Sequence, residues 1–286
     1  MLRVLHFGST GNLGVPVLHE LVSRGHEVTC FVRSETRFFE LHGASVGKDI
    51  RLICGDACDS RTVDEALGSA DYDAVLSTAG CVDNSVRSQH EAISSSFCSI
   101  FCNIADASER HLAAPKRAIF VGGVTALALP GLVSVGGDEV RLQELLQRRS
   151  PQYVAHVLNH ERLMRSSLEW TMACPGYMVD ASADDQPLRL SEDVLPVFPP
   201  DRFRRWHLAG PLRLPCVLLP VALRQGELTV PYKQVAAALV DHLEPGGRFE
   251  RRLMGLANPI GRVLRKGKEE RTRERALRLQ RELEER

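Results

Sequence analysis

The chain has 286 residues, of which 44% are hydrophobic and 25% are charged, which is ordinary for a globular protein. The 36 basic and 36 acidic residues cancel, so no global electrostatic attraction draws the chain to nucleic acid or to a membrane surface. No run of about 18 apolar residues occurs, and the sequence therefore predicts no membrane-spanning helix.

Apolar runs alternate with helical patterns over residues 2–174. Strands are predicted at residues 2–7, 27–32, 50–54, 74–77, 118–121 and 170–174. Helices are predicted at residues 12–24, 35–42, 62–67, 84–111 and 154–166. Asp59 is a suitable N-cap for the third of these helices. This alternation predicts a doubly wound α/β Rossmann fold with a parallel sheet and right-handed crossovers.

The regular alternation ends near Pro175. Residues 181–230 are polar at first and then apolar with several prolines, which favours a cap region over a substrate site rather than further sheet. One more helix is predicted at residues 234–243. We therefore expect residues 1–260 to form a single domain.

The tail, residues 261–286, contains ten basic and six acidic residues and few apolar ones. This pattern predicts a charged C-terminal helix. It is typical of a solvated helix or a frayed end, and it also fits a helix that docks on a protein or RNA partner. We expect a protein rather than a nucleic acid as the partner of such a helix.

A glycine-rich loop follows the first predicted strand and opens the first predicted helix. Glycines there allow a tight turn, close approach of the backbone to a pyrophosphate, and close packing of helix on sheet. The helix N-terminus supplies free N–H groups to the phosphates. The alternative is a glycine turn that binds nothing. The residues predicted to bind the dinucleotide are Gly8, Ser9, Thr10, Gly11, Asn12, Leu13 and Gly14.

The residues after the second strand indicate which dinucleotide is bound. An acidic residue at this position would bind the ribose 2′-hydroxyl of NAD. The chain has Arg33 and Ser34 instead, which suit the 2′-phosphate of NADP(H). The alternative for Arg33 is an exposed charge at a strand end.

Residues after the next two strands extend the predicted cofactor groove. Asp56, followed by Ala57, comes after the third strand, where a carboxylate can accept a hydrogen bond from the adenine amino group. Ala79 and Gly80 follow the fourth strand, where small residues keep the groove open beside the ribose.

At these residues the chain resembles the atypical short-chain dehydrogenases/reductases, namely the NmrA-like and biliverdin-reductase-B-like NAD(P)H-binding proteins. Two later segments, residues 120–131 (FVGGVTALALPG) and residues 160–171 (HERLMRSSLEWT), are similar to segments of one bacterial-type branch. The resemblance covers about residues 1–180. It implies a bound NADP(H), and it places three more residues at the nicotinamide end, namely Gly122, Gly123 and Pro175.

The larger superfamily reduces carbonyls with a serine, a tyrosine and a lysine four residues after the tyrosine. Here glycines stand at the serine position, and the other two positions fall near Gln152 and His156, with Tyr153 one residue out of register. The usual triad is therefore absent. Candidate proton donors are His156, His160 and Thr125; the alternatives are histidines on a helix surface and a loop hydroxyl that caps the backbone.

Two hypotheses remain open. In the first, the protein is an NADPH-dependent oxidoreductase that reduces a flavin, a quinone or a similar planar small molecule, because the cofactor carries the chemistry. In the second, it binds NADPH without turnover and is a redox sensor or an accessory subunit of a larger assembly, such as a respiratory complex, docked through residues 261–286. The missing triad and the tail favour the second hypothesis, and the intact nicotinamide-end loop favours the first.

Eight cysteines occur in the chain, and most of them, such as Cys30 and Cys54, lie in apolar stretches where buried thiols are expected. The pairs Cys54/Cys58 and Cys98/Cys102 lack a second pair and a histidine at the spacing of zinc ligands, so we predict no metal site. Reduced thiols favour an intracellular reducing compartment, either the cytoplasm or an organelle matrix or stroma.

Overall fold

The structure is a computed structural model that describes most of the chain as far as residue 259. The described residues are 1–46, 50–80, 86–133, 137, 139–146, 150–181, 187–197, 221 and 224–259. The predicted charged tail and residues 198–220 of the predicted cap region lie outside them.

The described elements alternate over the first half of the chain, as the sequence predicts. The helices are α1 (Gly14–Ser23), α2 (Glu35–Val46), α3 (Ser60–Gly68), α4 (Gln89–Ile93), α5 (Ser96–His111), α6 (Leu142–Leu146), α7 (Val154–Met164) and α8 (Tyr232–Asp241). The strands are β1 (Arg3–Phe7), β2 (Glu27–Val32), β3 (Arg51–Cys54), β4 (Ala74–Ser77), β5 (Arg117–Val121), β6 (Ala128–Val133), β7 (Glu139–Arg141), β8 (Glu169–Cys174), β9 (Tyr177–Val179), β10 (Arg189–Glu192), β11 (Thr229–Pro231) and β12 (Arg252–Ala257).

Eight of the described strands form one sheet in the order β10-β12-β8-β5-β4-β1-β2-β3. The pairings from β12 to β3 are parallel, and β10 pairs antiparallel with β12. The chain order changes direction at β1, which lies between β2 and β4, and a crevice forms outside the carboxyl ends of strands at such a point. The predicted doubly wound Rossmann fold is confirmed.

The sheet is buried on both faces. In β1, Leu5 and Phe7 belong to one apolar cluster, shared with α3, α5 and α7, whereas Val4 belongs to a second cluster, shared with α1 and α8. Because neighbouring side chains of a strand point to opposite faces, a strand between two helical layers is apolar at nearly every position. This is why the predicted strands appear as continuous apolar runs.

The predicted cap of α3 is confirmed, but the single helix predicted over residues 84–111 is wrong. Asp59 Oδ1 accepts a hydrogen bond from the backbone N–H of Arg61 at 3.0 Å. The second region is divided into α4 and α5 at Ser95, which is extended and whose Oγ accepts a hydrogen bond from the N–H of Cys98. Serine side chains compete for backbone hydrogen bonds, so a run of serines favours a cap over a helix interior.

The expectation that residues 181–230 contain no further sheet is also wrong, because β10 and β11 begin within this range. Strands β10 and β12 extend the main sheet, and β9 pairs with β11 in a small separate sheet. In β12, a Cβ atom on Gly255 would lie 2.3 Å from Oγ of Ser191 in β10, so only glycine permits this close strand contact. Glycine weakens the strand pattern in a sequence, and this one obscured β12.

Candidate functional site

A cleft of about 690 Å³ opens at the carboxyl ends of the central strands, beside the change in chain order at β1. Clefts at this point are the usual ligand sites of parallel α/β sheets. Twelve of the residues predicted from the sequence line it, and these are Gly8, Thr10, Gly11, Asn12, Leu13, Arg33, Asp56, Ala57, Ala79, Gly80, Gly122 and His156.

The remaining predicted residues do not line the cleft, and several lining residues were not predicted. The predicted residues outside the lining are Ser9, Gly14, Ser34, Thr125, Gly123, His160 and Pro175. The lining residues without a sequence signal include Cys58, Ser96, Phe97, Ile100, Met178 and Tyr232. Most of these lie on segments distant from the glycine loop in sequence, so a local motif could not have identified them.

The backbone of the glycine loop lies in close contact with the backbone that follows β4. Gly8 has a φ of +88°, and a Cβ atom on it would lie 2.6 Å from the backbone N of Ala79. The N–H of Gly11 donates to the carbonyl of Gly8 at 3.0 Å. The loop therefore offers a surface of bare backbone, and this fits a pyrophosphate, which needs close approach of backbone N–H groups.

Two side chains that are not among the predicted cofactor-binding residues form hydrogen bonds that support the loop. Thr78 Oγ1 lies 3.1 Å from the carbonyl oxygen of Phe7 and 3.3 Å from that of Gly8, within donating distance of both. Nε2 of the buried His42 donates to the carbonyl of Ser9 at 3.0 Å. Ser9 itself is fully buried and does not line the cleft.

One end of the cleft is polar and lies beyond β2 and β3. Arg33 is exposed and, within the described part of the chain, forms no ion pair. Asp56 Oδ1 accepts a hydrogen bond from the N–H of Cys58 at 3.0 Å, which fixes the turn after β3. Ser34 Oγ accepts from the N–H of Arg37 at 3.2 Å and so caps α2, but its own hydroxyl proton stays available.

The other end of the cleft lies at β5 and α7. His156 lines it, with only 7% of its surface exposed. Its ring contacts Phe97 edge-to-face, with 5.2 Å between the ring centroids. Burial lowers the pKa of His156 to about 4. At neutral pH this imidazole is therefore uncharged, and it can donate a hydrogen bond but is not the imidazolium of a general acid.

The other two predicted proton donors lie behind this end of the cleft. His160 is buried edge-to-face against Trp170, with 5.4 Å between the centroids, and burial lowers its pKa to about 4. Thr125 is buried in a short 3₁₀ turn, and its Oγ1 has no partner among the described residues. Neither histidine is on the helix surface, and the threonine does not cap the backbone, so the alternatives weighed for all three are wrong.

Two predicted residues support the loop after β5. The carbonyl of Pro175 accepts a hydrogen bond from the N–H of Val124 at 3.0 Å. A Cβ atom on Gly122 would lie 2.0 Å from Cε of Met172 in β8, so glycine here leaves room for the methionine side chain.

The described residues give little support to other site chemistries. No group of three or more potential metal ligands occurs among them. Burial raises the pKa of the Cys30 thiol to about 12, which makes it unreactive. Cys54, expected to be buried, is exposed at the end of β3.

In the described ranges no helix combines the length and the apolarity needed to cross a membrane.

A curated protein is similar to part of this chain. The photosystem II assembly factor Ycf39 from Synechocystis sp. is 33% identical over 85 residues, which are 29% of this chain and 24% of that protein. The match thus spans about a quarter of the relative's length.

Two solved structures share the fold at low identity. A short-chain dehydrogenase/reductase (wide type) from Veillonella parvula, in complex with NADP, is 14% identical with a TM-score of 0.58, covering 94% of this chain and 100% of that chain. The anaerobillin reductase ChuY from Escherichia coli O157:H7 is 18% identical with a TM-score of 0.55, covering 93% and 100%.

The model of a family described as NAD(P)H-binding matches residues 8–197, about two thirds of the chain. This range begins at the glycine loop and includes β2 to β10, so it contains both ends of the cleft. The resemblance to atypical short-chain dehydrogenases/reductases is confirmed at this level, and the chain belongs to the NAD(P)H-binding family.

Proposed function

We propose that this protein binds NADPH and catalyses hydride transfer from it to a small planar acceptor such as a flavin or a quinone. The observation that carries the proposal is the continuity of the cleft. One cavity joins the exposed Arg33, the bare backbone of the glycine loop, and the end at Gly122 and His156.

The polar end supports NADPH rather than NADH. A guanidinium binds a phosphate through charge-assisted, often bidentate hydrogen bonds. Arg33 is exposed at the end of β2, where the adenosine ribose lies in Rossmann folds, and no described carboxylate neutralises it. The Ser34 hydroxyl proton can be donated to the same phosphate. Asp56 would accept a hydrogen bond from the adenine amino group.

The end of the cleft at Gly122 and His156 supports hydride transfer. When bound, NADPH supplies a hydride from its nicotinamide ring. The apolar side chains of Phe97 and Met178 line the cleft and would shield that ring from water. A flavin or quinone can accept a hydride without a strong protein acid, which agrees with a neutral His156.

The test is NADPH oxidation by the full-length chain with a panel of flavins and quinones, followed by the absorbance of NADPH. We expect at least one acceptor to be reduced at a rate well above that of the uncatalysed mixture, with saturation in both substrates. Tight NADPH binding with background oxidation across the panel would overturn the oxidoreductase proposal.

A second candidate is an NADPH-binding protein without turnover that acts in the assembly of a larger complex. The similarity to an assembly factor favours it. The charged tail, residues 261–286, would then be the docking segment for a protein partner. Purification of tagged chains with and without residues 262–286 tests this proposal. A partner that is retained equally by both chains would remove the tail from it.

A further inference from the structure

We propose that His42 is a positioning residue of the cofactor site: it fixes the peptide between Ser9 and Thr10 so that the Thr10 N–H points into the cleft and donates to a phosphate oxygen of the dinucleotide. The inference rests on the proposed binding of NADPH and adds to that site a residue that does not touch the cofactor. His42 lies outside the cleft lining, so it acts through the glycine loop.

The first support is the hydrogen bond between His42 and the loop. Nε2 of His42 lies 3.0 Å from the carbonyl oxygen of Ser9, and no other described group donates to this oxygen. Because a carbonyl oxygen can only accept, Nε2 carries a proton, which fixes the tautomer of the neutral ring. Ser9 is fully buried and His42 is 6% exposed, so solvent does not replace this donor.

The second support is the geometry of the peptide bond that follows Ser9. This bond is trans, and the carbonyl and the N–H of a planar trans peptide point in opposite directions. The Ser9 carbonyl is directed at His42, behind the loop, whereas Thr10 lines the cleft. The N–H of Thr10 is therefore directed away from His42, toward the cleft side of the loop.

The third support is that this N–H is left free for a ligand. No described group accepts a hydrogen bond from the Thr10 N–H, whereas the next N–H of the loop, that of Gly11, donates to the carbonyl of Gly8. Free N–H groups where a loop opens a helix are donors to phosphates. A hydrogen bond accepted by the carbonyl of a peptide also polarises its N–H, which strengthens that donor.

The imidazole is held by helices rather than by the loop. The ring of Phe38, fully buried one turn earlier on α2, lies 4.5 Å from that of His42 between centroids, and the ring of His19 on α1 lies at 5.7 Å. The regular helix ends directly after His42, since Gly43 has a φ of +75°. The donor is thus in place independently of the loop. Without it the buried Ser9 carbonyl would be unpaired, which favours rotation of the peptide.

The experiment measures NADPH affinity and the Thr10 amide together. NADPH is titrated into the full-length protein, and the binding is followed by NADPH fluorescence and by NMR of the isotope-labelled backbone. In the wild type the Thr10 amide proton should move downfield on binding, as an N–H does when it donates to a phosphate. His42→Leu should weaken NADPH binding about tenfold, as the loss of one phosphate hydrogen bond requires, and should abolish this shift.

His42→Gln and His42→Asn are a matched pair of amide variants. Both supply an N–H, but the glutamine amide reaches about as far from the backbone as Nε2, and the asparagine amide stops one bond short. His42→Gln should bind NADPH within about threefold of the wild type and keep the Thr10 shift. His42→Asn should behave like His42→Leu. If His42→Leu does not fold, this pair decides.

His19→Leu is the control, because His19 is an exposed histidine beside His42 and lies outside the cleft lining. It should leave the affinity and the shift unchanged. Equal NADPH binding by wild type and His42→Leu, equal behaviour of the two amide variants, an equal loss in His19→Leu, or no Thr10 shift in the wild type would each overturn the inference. A wild type that does not bind NADPH would overturn the proposed function itself. Binding that depends on His42 without NADPH oxidation would support the inference and contradict only the proposed turnover.

Discussion

A Cβ atom on Gly14 would lie 1.8 Å from the carbonyl oxygen of Gly8. The first residue of α1 and the first residue of the glycine loop therefore touch through bare backbone. The backbone of Gly8 follows β1, and the backbone of Gly14 begins α1. Because a strand and a helix hold these two glycines, neither backbone segment can move away at low energetic cost. This contact fixes the loop in the shape that brings Gly11 and Asn12 to the cleft wall.

We predict that Gly14→Ala disrupts the loop. The added methyl group must displace the Gly8 carbonyl, and overpacking of this kind costs about 1–3 kcal/mol of unfolding free energy. Binding of NADPH should weaken by more than tenfold even where the variant folds, a change of about 1.4 kcal/mol or more. Urea unfolding and fluorescence titration measure the two effects.

Gly247→Ala is the matched control for this change. A Cβ atom there would lie 3.7 Å from the carbonyl oxygen of Glu244, which is an ordinary contact distance. Its effect on stability should stay within about 0.5 kcal/mol, as at most surface positions. If Gly14→Ala behaved like Gly247→Ala in both measurements, the proposed fit of the loop would be wrong.

Arg117 provides a prediction about stability alone. This buried residue of β5 donates to the carbonyls of Leu243 and Glu169 at 3.2 and 2.9 Å, to Oγ1 of Thr171 at 2.8 Å, and to the carbonyl of His242. Arg117→Met would remove these four hydrogen bonds and should lower the free energy of unfolding by about 2–4 kcal/mol.

The same substitution should not change NADPH binding, because Arg117 lies at the amino end of β5, opposite the cleft. Arg3→Met is the control, since the ion pairs that Arg3 forms with described residues, Asp71 and Asp73, are exposed, and such pairs contribute at most about 1 kcal/mol. Chemical denaturation of the two variants checks the difference, and equal losses would refute the structural role of Arg117.

The buried His156 predicts acid sensitivity. Its pKa is 6.5 as a free side chain and about 4 in the folded protein. Between these values the unfolded chain binds more protons, so stability is complete above pH 6.5 and falls as the pH drops toward 4. The contribution lost by about pH 5 is about 2 kcal/mol. His156→Leu should reduce the fall in unfolding free energy from neutral pH to about pH 5 by that amount, and an unchanged fall would contradict it.

The sequence was sufficient for the parts of the fold and the site that depend on local patterns. The strands β1 to β5 and β8 are apolar runs between helices, and the glycine loop joins a strand to a helix, so periodicity and spacing reveal them. Arg33 and Asp56 were found because they follow predicted strands directly, and the structure places both in the cleft wall.

The remainder depends on contacts between distant segments. Phe97 faces His156 from α5, and its position follows from the break at Ser95, which a helical pattern did not show. The burial of His156 and His160 arises because α7 packs on α5 and the 3₁₀ turn after β5. A pattern centred on α7 alone could not distinguish these histidines from surface residues.

The proposed selection of NADPH by Arg33 is tested by the ratio of the dissociation constants for NADH and NADPH, measured by fluorescence titration of the full-length protein. We expect NADPH to bind the wild type more tightly, and Arg33→Ala to weaken NADPH binding about tenfold or more while leaving NADH unchanged. Arg37→Ala is the control, because Arg37 is an exposed neighbour paired with Glu40 at 3.3 Å and lies outside the cleft lining. An equal affinity for both dinucleotides, or a preference that survives Arg33→Ala, would contradict the account.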